Sequence, residues 1–546
     1  MASSADNYLT KRKHFTARLE KLKSVRSLLE SEWKEVRSYL APDTGSFDDP
    51  TSTSAIKKDA FYKQNINTLP SFYFYNLAVA LVMNLTPSRL HWFRIQVNDK
   101  TYEESAFLKK AEDKMLRIFS KAGVYDHLLN MFLEAPLYGS SVLGVNSDGE
   151  FGVDFVPSTI GEFWIAEDYR GVVNTLYRRF AMTAINLSMQ FGYDALPSAV
   201  KKAVDEDNTE AEFVVVHAVE QNPRFNARSD NPFNKEFISV YYCEAAREDE
   251  GFLEYKTMSR FPFVVSRWDK FGKNVYATGI GRKVLGDVKS LQAYERDLAK
   301  ASKKKISPPL KGSVDLKNVV VDASAEKITY TNDVNGLTPL FNVNYETREA
   351  LENIARILDR IYKITYNDLF LAILNKDKTM SATEAAAIVK EKEALGAIVE
   401  RFQRETLKPL IETTFLILLE QGVFGEMPSS MRGKEMTIEY QSILSSTQEI
   451  GDLQNVDRWL QFVSQVATIN PDAARKPDVL AVCDFYADRL NIDFSLIKTN
   501  ATVEKEMADE QEAIMQTQQQ QMALQATQVQ AGAAKDYAQA KKAIMG

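Results

Sequence analysis

Phe15, Leu19, Leu22, Val25, Leu29, Trp33, Val36 and Leu40 recur at steps of three or four, the repeat of one helical face, and Pro42 closes the run. Similar spacing predicts helix over 56–85, 104–121 and 125–137. From about residue 140 the period changes. Phe151, Val153 and Phe155 alternate, and short β-branched runs follow at 172–177, 213–219, 237–243 and 262–268. Asn222-Pro223 and Asn231-Pro232 punctuate them. Residues 1–280 therefore predict a mixed region, helices first and a mostly antiparallel sheet after, which sets the class as α+β.

A second helical region opens at Gly279-Ile280-Gly281. Val284, Val288, Leu291, Tyr294, Leu298 and Ala301 form one apolar stripe, on a helix of about 25 residues and roughly 37 Å. It ends in Lys303-Lys304-Lys305-Ile306-Ser307-Pro308-Pro309, where each proline pushes its predecessor out of the helical region. Residues 310–345 read as a small β insertion, with Val319–Val321 and Ile328–Tyr330 as strands and Asn335-Gly336 as a tight turn. Helix resumes near 346, with Leu351, Ile354, Leu358 and Ile361 as its stripe. If the flanking helices lie antiparallel, the insertion projects from their shared end. After a polar break at 372–380, Ser381 and Glu384 form a capping box. The helix that follows carries Ile388, Leu395, Ile398 and Phe402 towards Gly422. Pro409 inside it removes a hydrogen bond and predicts a kink.

Composition narrows the possibilities. At 546 residues the chain exceeds one ordinary core, and 45% apolar with 26% charged residues is a globular mixture. The longest apolar stretch, Phe72–Leu85, is interrupted by Asn76 and Asn84 and is too short to span a bilayer, so no membrane role is expected. Lys11, Arg12 and Lys13 have no apolar run behind them, so no secretory signal is expected. Cys243 and Cys483 are too few for a disulfide framework or a cysteine-rich zinc module. The tail differs from the rest: Gln511–Gly546 holds ten glutamines and nine alanines in 36 residues. Such a segment is either disordered alone or helical only when packed against copies of itself or a partner.

Catalytic patterns are missing. His14, His91, His127 and His217 show no paired spacing, and His217 reads as a strand residue with one hydrogen bond. Gly139-Ser140-Ser141-Val142-Leu143-Gly144 fails the nucleophile-elbow pattern and reads as a glycine-flanked strand edge. Gly279-Ile280-Gly281 lacks the third glycine of a dinucleotide fingerprint, and no Gly-x-x-x-x-Gly-Lys-Ser/Thr occurs. Glu248-Asp249-Glu250 and Asp205-Glu206-Asp207 read as solvated loops. Nothing points to an enzyme, a cofactor or a metal.

Two stretches carry a likeness: Gly279–Leu310 (GIGRKVLGDVKSLQAYERDLAKASKKKISPPL) and, more specifically, Thr379–Ile411 (TMSATEAAAIVKEKEALGAIVERFQRETLKPLI). With the order and length of the chain and its Gln/Ala-rich tail, they resemble the head-to-tail connector, or portal, proteins of short-tailed bacteriophages. The resemblance implies a wing over 1–280, a first stem helix over 281–305 and a clip over 306–345. It implies a second stem helix over 346–370, a channel loop over 371–381 and a kinked helix over 382–422. Residues 423–500 would complete wing and crown, and 501–546 a C-terminal helical barrel. It also implies a homo-oligomeric ring, typically of twelve subunits, at one capsid vertex. Double-stranded DNA would pass through it in packaging and ejection. The implied partners are terminase, a tail adaptor, scaffold and capsid proteins, and internal core proteins. The other reading is a structural virion ring or core protein with no DNA channel.

Charge bears on that expectation. The chain carries −7, with 67 basic and 74 acidic residues, so it does not grip nucleic acid over its whole surface. A sliding duplex requires this, because every neutralised phosphate adds salt-sensitive affinity. Arg282–Lys311 departs from the average, with nine basic and three acidic residues. Lys303, Lys304 and Lys305 suit the negative end of a helix dipole and equally a phosphate-facing role. Lys376 and Lys378, flanking Asp377, are further DNA-channel candidates. Pro308, Pro309, Lys311, Asn335 and Gly336 are the candidates for partner docking on the clip, and Pro409 for the helix kink.

Overall fold

The computed structural model describes residues 12–45, 47, 50, 65–97, 101–149, 152–228, 231–247, 250–306, 310–312, 337–339, 347–368, 396, 399–431, 433–440, 443–489, 498 and 500–544. The chain divides into two compact units, Met1–Arg94 with Ala111–Glu426, and Ile95–Lys110 with Met427–Gly546.

The first unit opens with α1 (Arg12–Leu40) and α2 (Leu69–Leu85). Of the helix expected over 56–85, residues 65–68 are not helical, and 56–64 lie outside the described residues. β1 (Phe93–Val97) and α3 (Tyr102–Lys121) contribute to both units. α4 (Val124–Tyr138) leads through Gly139, at φ 99°, into β2 (Ser140–Ser147). β3 (Val153–Ser158), β4 (Phe163–Glu167) and β5 (Val173–Thr183) follow, then α5 (Ala184–Phe191) and α6 (Ser198–Asp205), and then β6 (Glu212–Gln221), β7 (Phe237–Cys243), β8 (Glu254–Met258) and β9 (Phe263–Arg267). β2 is the middle strand of the antiparallel sheet β3-β2-β9, with Ser140 and Ser141 buried. The expected strand edge at 139–144 is thus a sheet centre, because β9 returns from over a hundred residues away to pair with it.

The other sheet is an antiparallel meander, β4-β5-β6-β7-β8. Side chains alternate across it. Trp164, Tyr177, Val216, Ile238 and Tyr242 face α1, where Phe15, Leu19 and Leu22 complete the core. Val215 and Cys243 instead join Ala184, Leu187 and Val200 of α5 and α6. The α1 stripe holds except at Val25, which is exposed, while Arg26 is buried in its place. Arg26 donates to the carbonyls of Gly161 and Phe163, both at 2.7 Å, pairs with Glu30, and lies 3.9 Å from the Trp164 ring centroid. A guanidinium with every side met by acceptors or an aromatic face is tolerated where an unpaired charge is not.

His217, facing Tyr241 across β6 and β7, is buried. Burial, then the positive charge of Arg178, push its pKa down to about 3, so it is a neutral imidazole sharing one hydrogen bond with Ser239 at 2.9 Å. Glu250 receives the Ser198 N–H at 2.8 Å, which fixes the start of α6 and does more than solvate a loop.

Glu134 on α4 lines a cavity of about 430 Å³ together with Arg37, His127, Thr159, Glu162 and Arg178. Burial, helped by repulsion from Glu162, pushes its carboxyl up to about 8 against opposing hydrogen bonds from Thr159 and the Ile160 N–H. The folded chain therefore holds a proton that the unfolded chain has lost above its ordinary carboxylate range. Stability from this group is complete below about pH 4.5 and is lost as pH rises towards 8, at about 1.4 kcal/mol per unit. Glu134→Gln is expected to flatten that slope in thermal unfolding scanned from pH 4.5 to 8. An unchanged slope would assign the pH dependence to another group.

The first unit continues through α7 (Ile280–Ile306), the short strands β10 (Leu310–Gly312) and β11 (Leu337–Pro339), α8 (Thr347–Ile364), a π-helical turn (Gln403–Leu407) and α9 (Lys408–Glu420). In the second unit β12 (Met436–Tyr440) pairs with β1, and α10 (Ile443–Ala467), α11 (Val479–Arg489) and α12 (Asn500–Ile544) follow. Glu104 there receives both of its Lys434 contacts at 2.9 Å. Hydrogen bonds from Ser430, the Thr101 backbone and Lys434 hold its carboxyl down to about 2. Most described side chains of α12 are exposed, with Met507, Ile514, Met515 and Met522 open to solvent and Val503 half-buried. Of the five tryptophans, Trp33, Trp92, Trp164 and Trp268 are buried in the first unit, and Trp459 on α10 is exposed. Among the described residues no helix is long and apolar enough to cross a membrane.

Candidate functional site

The start of α7 is set by backbone packed directly against backbone. A Cβ on Gly139 would lie 2.1 Å from the Ala277 carbonyl oxygen. One on Gly279 would lie 2.5 Å, and one on Gly281 2.4 Å, from the Leu137 carbonyl oxygen. The Gly279-Ile280-Gly281 motif thus exists to let α7 leave alongside the end of α4, which is why no phosphate fingerprint accompanies it.

From there Ile280, Val284, Leu285, Val288 and Leu291 are buried, and so is Gln292. Gln292 accepts from the backbone N–H groups of Ile66 and Asn67 at 2.8 and 3.1 Å and donates to the Asn67 carbonyl at 2.6 Å. This clamps the residues that lead into α2. Beyond Gln292 the helix is half-buried or exposed to its end.

α8 packs beside α7 through Ala350, Ile354, Ile357 and Ile361. The expected stripe is rotated by one residue at Leu351, which is exposed, and at Leu358, which is half-buried. α7 ends four residues before β10, which pairs antiparallel with β11, and α8 begins eight residues later. Arg360 near the far end of α8 meets Asp287 near the start of α7 at 3.3 Å. The helices therefore run antiparallel, with the strand pair at the shared end. Asn367 closes the other end by donating to the Tyr73 carbonyl of α2 at 3.1 Å.

Charge is distributed unevenly along α7. Arg282 and Lys289 meet Glu32 and Glu35 of α1 at 3.1 and 2.8 Å, and Lys283 meets Asp269 at 2.6 Å. Lys303, Lys304 and Lys305 are exposed in the last turn, and Lys311 is exposed on β10. The structure thus brings four of the candidate lysines to the end where the insertion begins. Pro308, Pro309, Asn335, Gly336, Lys376 and Lys378 lie outside the described residues, as do Ser381 and Glu384.

Pro409 is not interior to an uninterrupted α-helix. It is the second residue of α9, directly after the π-turn, where the Lys408 N–H bonds to the Gln403 carbonyl, five residues back. The wider turn accommodates a ring that lacks an N–H and would crowd the carbonyl four residues before it. One side chain of this turn, Glu405, reaches into a half-buried charge cluster around the buried Arg267. Arg267 donates to Glu405 at 2.9 and 3.3 Å, to Glu167 at 2.9 Å and to the Gly171 carbonyl at 3.0 Å, while Lys270 meets Glu167 at 2.6 Å. Nearby, Arg401 donates to the Trp268 carbonyl, and Phe402 packs edge-on against Trp268 and Phe132. Sequence spacing gave no sign of this cluster, whose members come from three distant segments.

The described residues thus present an antiparallel helix pair interrupted by a strand-paired insertion, and a further helical run broken by a π-turn. Residues 12–497 match the family described as bacteriophage head to tail connecting protein, and the chain belongs to that family. It is 31% identical over 519 residues to a "probable portal protein" of Bordetella phage BPP-1, covering 93% of each chain. It is 26% identical over 505 residues to the portal protein of Salmonella phage epsilon15, covering 89% of each. The function is that of a portal, a structural component of the virion capsid and not an enzyme. Portal proteins form oligomeric rings that pass DNA and dock terminase and tail.

Proposed function

We propose that the chain is one of twelve subunits of a ring at a single capsid vertex. Residues 281–305 and 346–370 are its stem, 306–345 its clip, 371–381 its channel loop, 382–422 its kinked helix and 501–546 its inner barrel. The observation that carries this reading is the antiparallel pair α7 and α8, whose shared end holds Lys303–Lys305, β10 and β11. Double-stranded DNA passes along the ring inward during packaging and outward during ejection. The clip engages terminase first and a tail adaptor later, and scaffold, capsid and internal core proteins meet the ring during assembly. A symmetry-resolved image of the purified protein tests this. Twelve subunits around a hole wide enough for a duplex are expected, and a ring with no such hole would favour a core protein without a channel.

The lysines act on moving DNA and not on folding. Lys376→Gln with Lys378→Gln, and separately Lys303, Lys304 and Lys305→Gln, are expected to leave thermal stability within about 0.5 kcal/mol, the range for surface substitutions. DNA retained by particles should change, uniformly across sequences, and the difference should shrink as salt screens the charges. Retention equal to the parent at every ionic strength would reduce these lysines to solvated surface.

A further inference from the structure

We infer that the cavity beside Glu134 is a binding site for a small oxyanion, independent of ring formation. The observation is a pair of hydrogen-bonding groups left over in its wall. Ser158 closes β3 and is 5% exposed, and its hydroxyl has no hydrogen-bond partner among the described residues. The buried Nε of Arg178 on β5 is in the same condition. The Glu162 carboxylate lies 3.6 Å from that nitrogen, too far for a hydrogen bond. Both side chains line the same cavity of about 430 Å³.

Buried polar groups are nearly always satisfied, so two orphans on one wall indicate what the space takes up. A guanidinium N–H only donates, and a hydroxyl can donate beside it. The guest that completes both is an acceptor, and an oxyanion presents several acceptor oxygens at once. The neighbouring protein acceptors are already engaged. Glu134 receives the Thr159 hydroxyl on one oxygen and the Ile160 N–H, at 3.0 Å, on the other. The Met131 carbonyl accepts from the buried Ser141 hydroxyl at 3.1 Å.

The placing of charge agrees. Burial pushes the Glu134 carboxyl up to about 8, so at neutral pH this acid adds no negative charge to the wall. Arg37 and Arg178 then stand against Asp43 and Glu162. These are unequal in depth: Arg37 is buried and Glu162 half-buried, while Asp43 is exposed, where water screens it. The Phe180 ring, 4.6 Å from the Arg178 guanidinium, covers one face of it without consuming a hydrogen bond. A planar guanidinium suits an oxyanion, which it can meet with two parallel bonds. The volume lies within the range of small-ligand sites, about 300–1,000 Å³, and leaves room for water beside a single ion.

The test is equilibrium dialysis of the full chain against radiolabelled sulfate, an oxyanion of fixed charge. It is run at about pH 6, below the range in which Glu134 ionises, with ionic strength held constant by chloride. One saturable site per chain is expected, with a raised thermal midpoint when it is filled. Ser158→Ala is expected to weaken binding about tenfold, the loss of one hydrogen bond to a charged acceptor. The same variant should leave the sulfate-free midpoint unchanged or raised, because the hydroxyl removed has no protein partner. A serine with a merely structural role would lower that midpoint and leave binding alone, which would overturn the inference. Arg178→Met is expected to abolish saturable binding. Should it fail to fold with Glu162 left beside it, Ser158→Ala decides the matter. Phosphate and acetate are then added as competitors to separate a tetrahedral from a planar guest. Displacement by either, and not by equivalent chloride, supports an oxyanion site. Equal displacement by chloride, binding unaltered in both variants, or no saturable binding of sulfate would overturn it, the last leaving the cavity to ordered water.

Discussion

Replacing Gly281 or Gly279 with alanine should destabilise the first unit by about 3 kcal/mol or more, seen as a large drop in its thermal midpoint. Each new methyl group would meet the Leu137 carbonyl oxygen at 2.4–2.5 Å, and the obstacle is backbone held at the end of α4, with no flexible side chain to give way. Gly139→Ala should be at least as severe, because it adds a 2.1 Å approach to Ala277 at a φ of 99°, which side-chain-bearing residues rarely adopt. Gly286 is the control. It lies on the same helix with open space around its Cβ position, so Gly286→Ala should be neutral or stabilise by up to about 1 kcal/mol. Equal destabilisation at Gly286 would mean that helix flexibility matters here and close approach does not.

The second large effect is expected at Arg267. Its side chain is 6% exposed and is the only guanidinium joining Glu405 of the π-turn to Glu167 of β4 among the described residues. Arg267→Met leaves two half-buried carboxylates with only Lys270 beside Glu167 and the exposed Arg404, 4.0 Å away, beside Glu405, a change of about 3 kcal/mol. Much of that cost is the charge left behind. Adding Glu405→Gln should therefore recover part of it, and chemical denaturation of the two single variants and the double variant measures the coupling. Strictly additive values would show that the contact contributes nothing beyond its separate members.

These two sites also show what a linear reading contains. The first half of the α7 stripe, Val284 to Leu291, and the strands at 213–219 and 237–243 were legible, because an element's buried face recurs with its own period, whereas Tyr294 farther along α7 is exposed. Order along the chain was legible for the same reason: helix, Pro-Pro and small insertion are local features. Faces fixed by distant partners were harder. At Val25 and Arg26 the stripe rule favours valine, yet carbonyls at Gly161 and Phe163 with the Trp164 ring make a better place for arginine. At Leu351 the rule is one residue out, since the closest approach of α7 selects Ala350. Gly279 and Gly281 were visible as a motif, but their meaning lies in a carbonyl some 140 positions earlier. The candidate lysines divide in the same way: Lys303–Lys305 could be placed from the helix end, whereas Lys376 and Lys378 lie outside the described residues.

The distribution of indole rings gives the molecule a built-in optical label for each unit. Four tryptophans sit in the interior of the first unit, and Trp459 alone stands in the second, open to solvent. Emission at the blue edge therefore follows melting of the first unit. A soluble collisional quencher such as iodide removes chiefly the red-edge light of Trp459. One emission spectrum recorded with and without quencher separates the two units in an unmodified chain, and any shielding of Trp459 during assembly registers in the same cuvette.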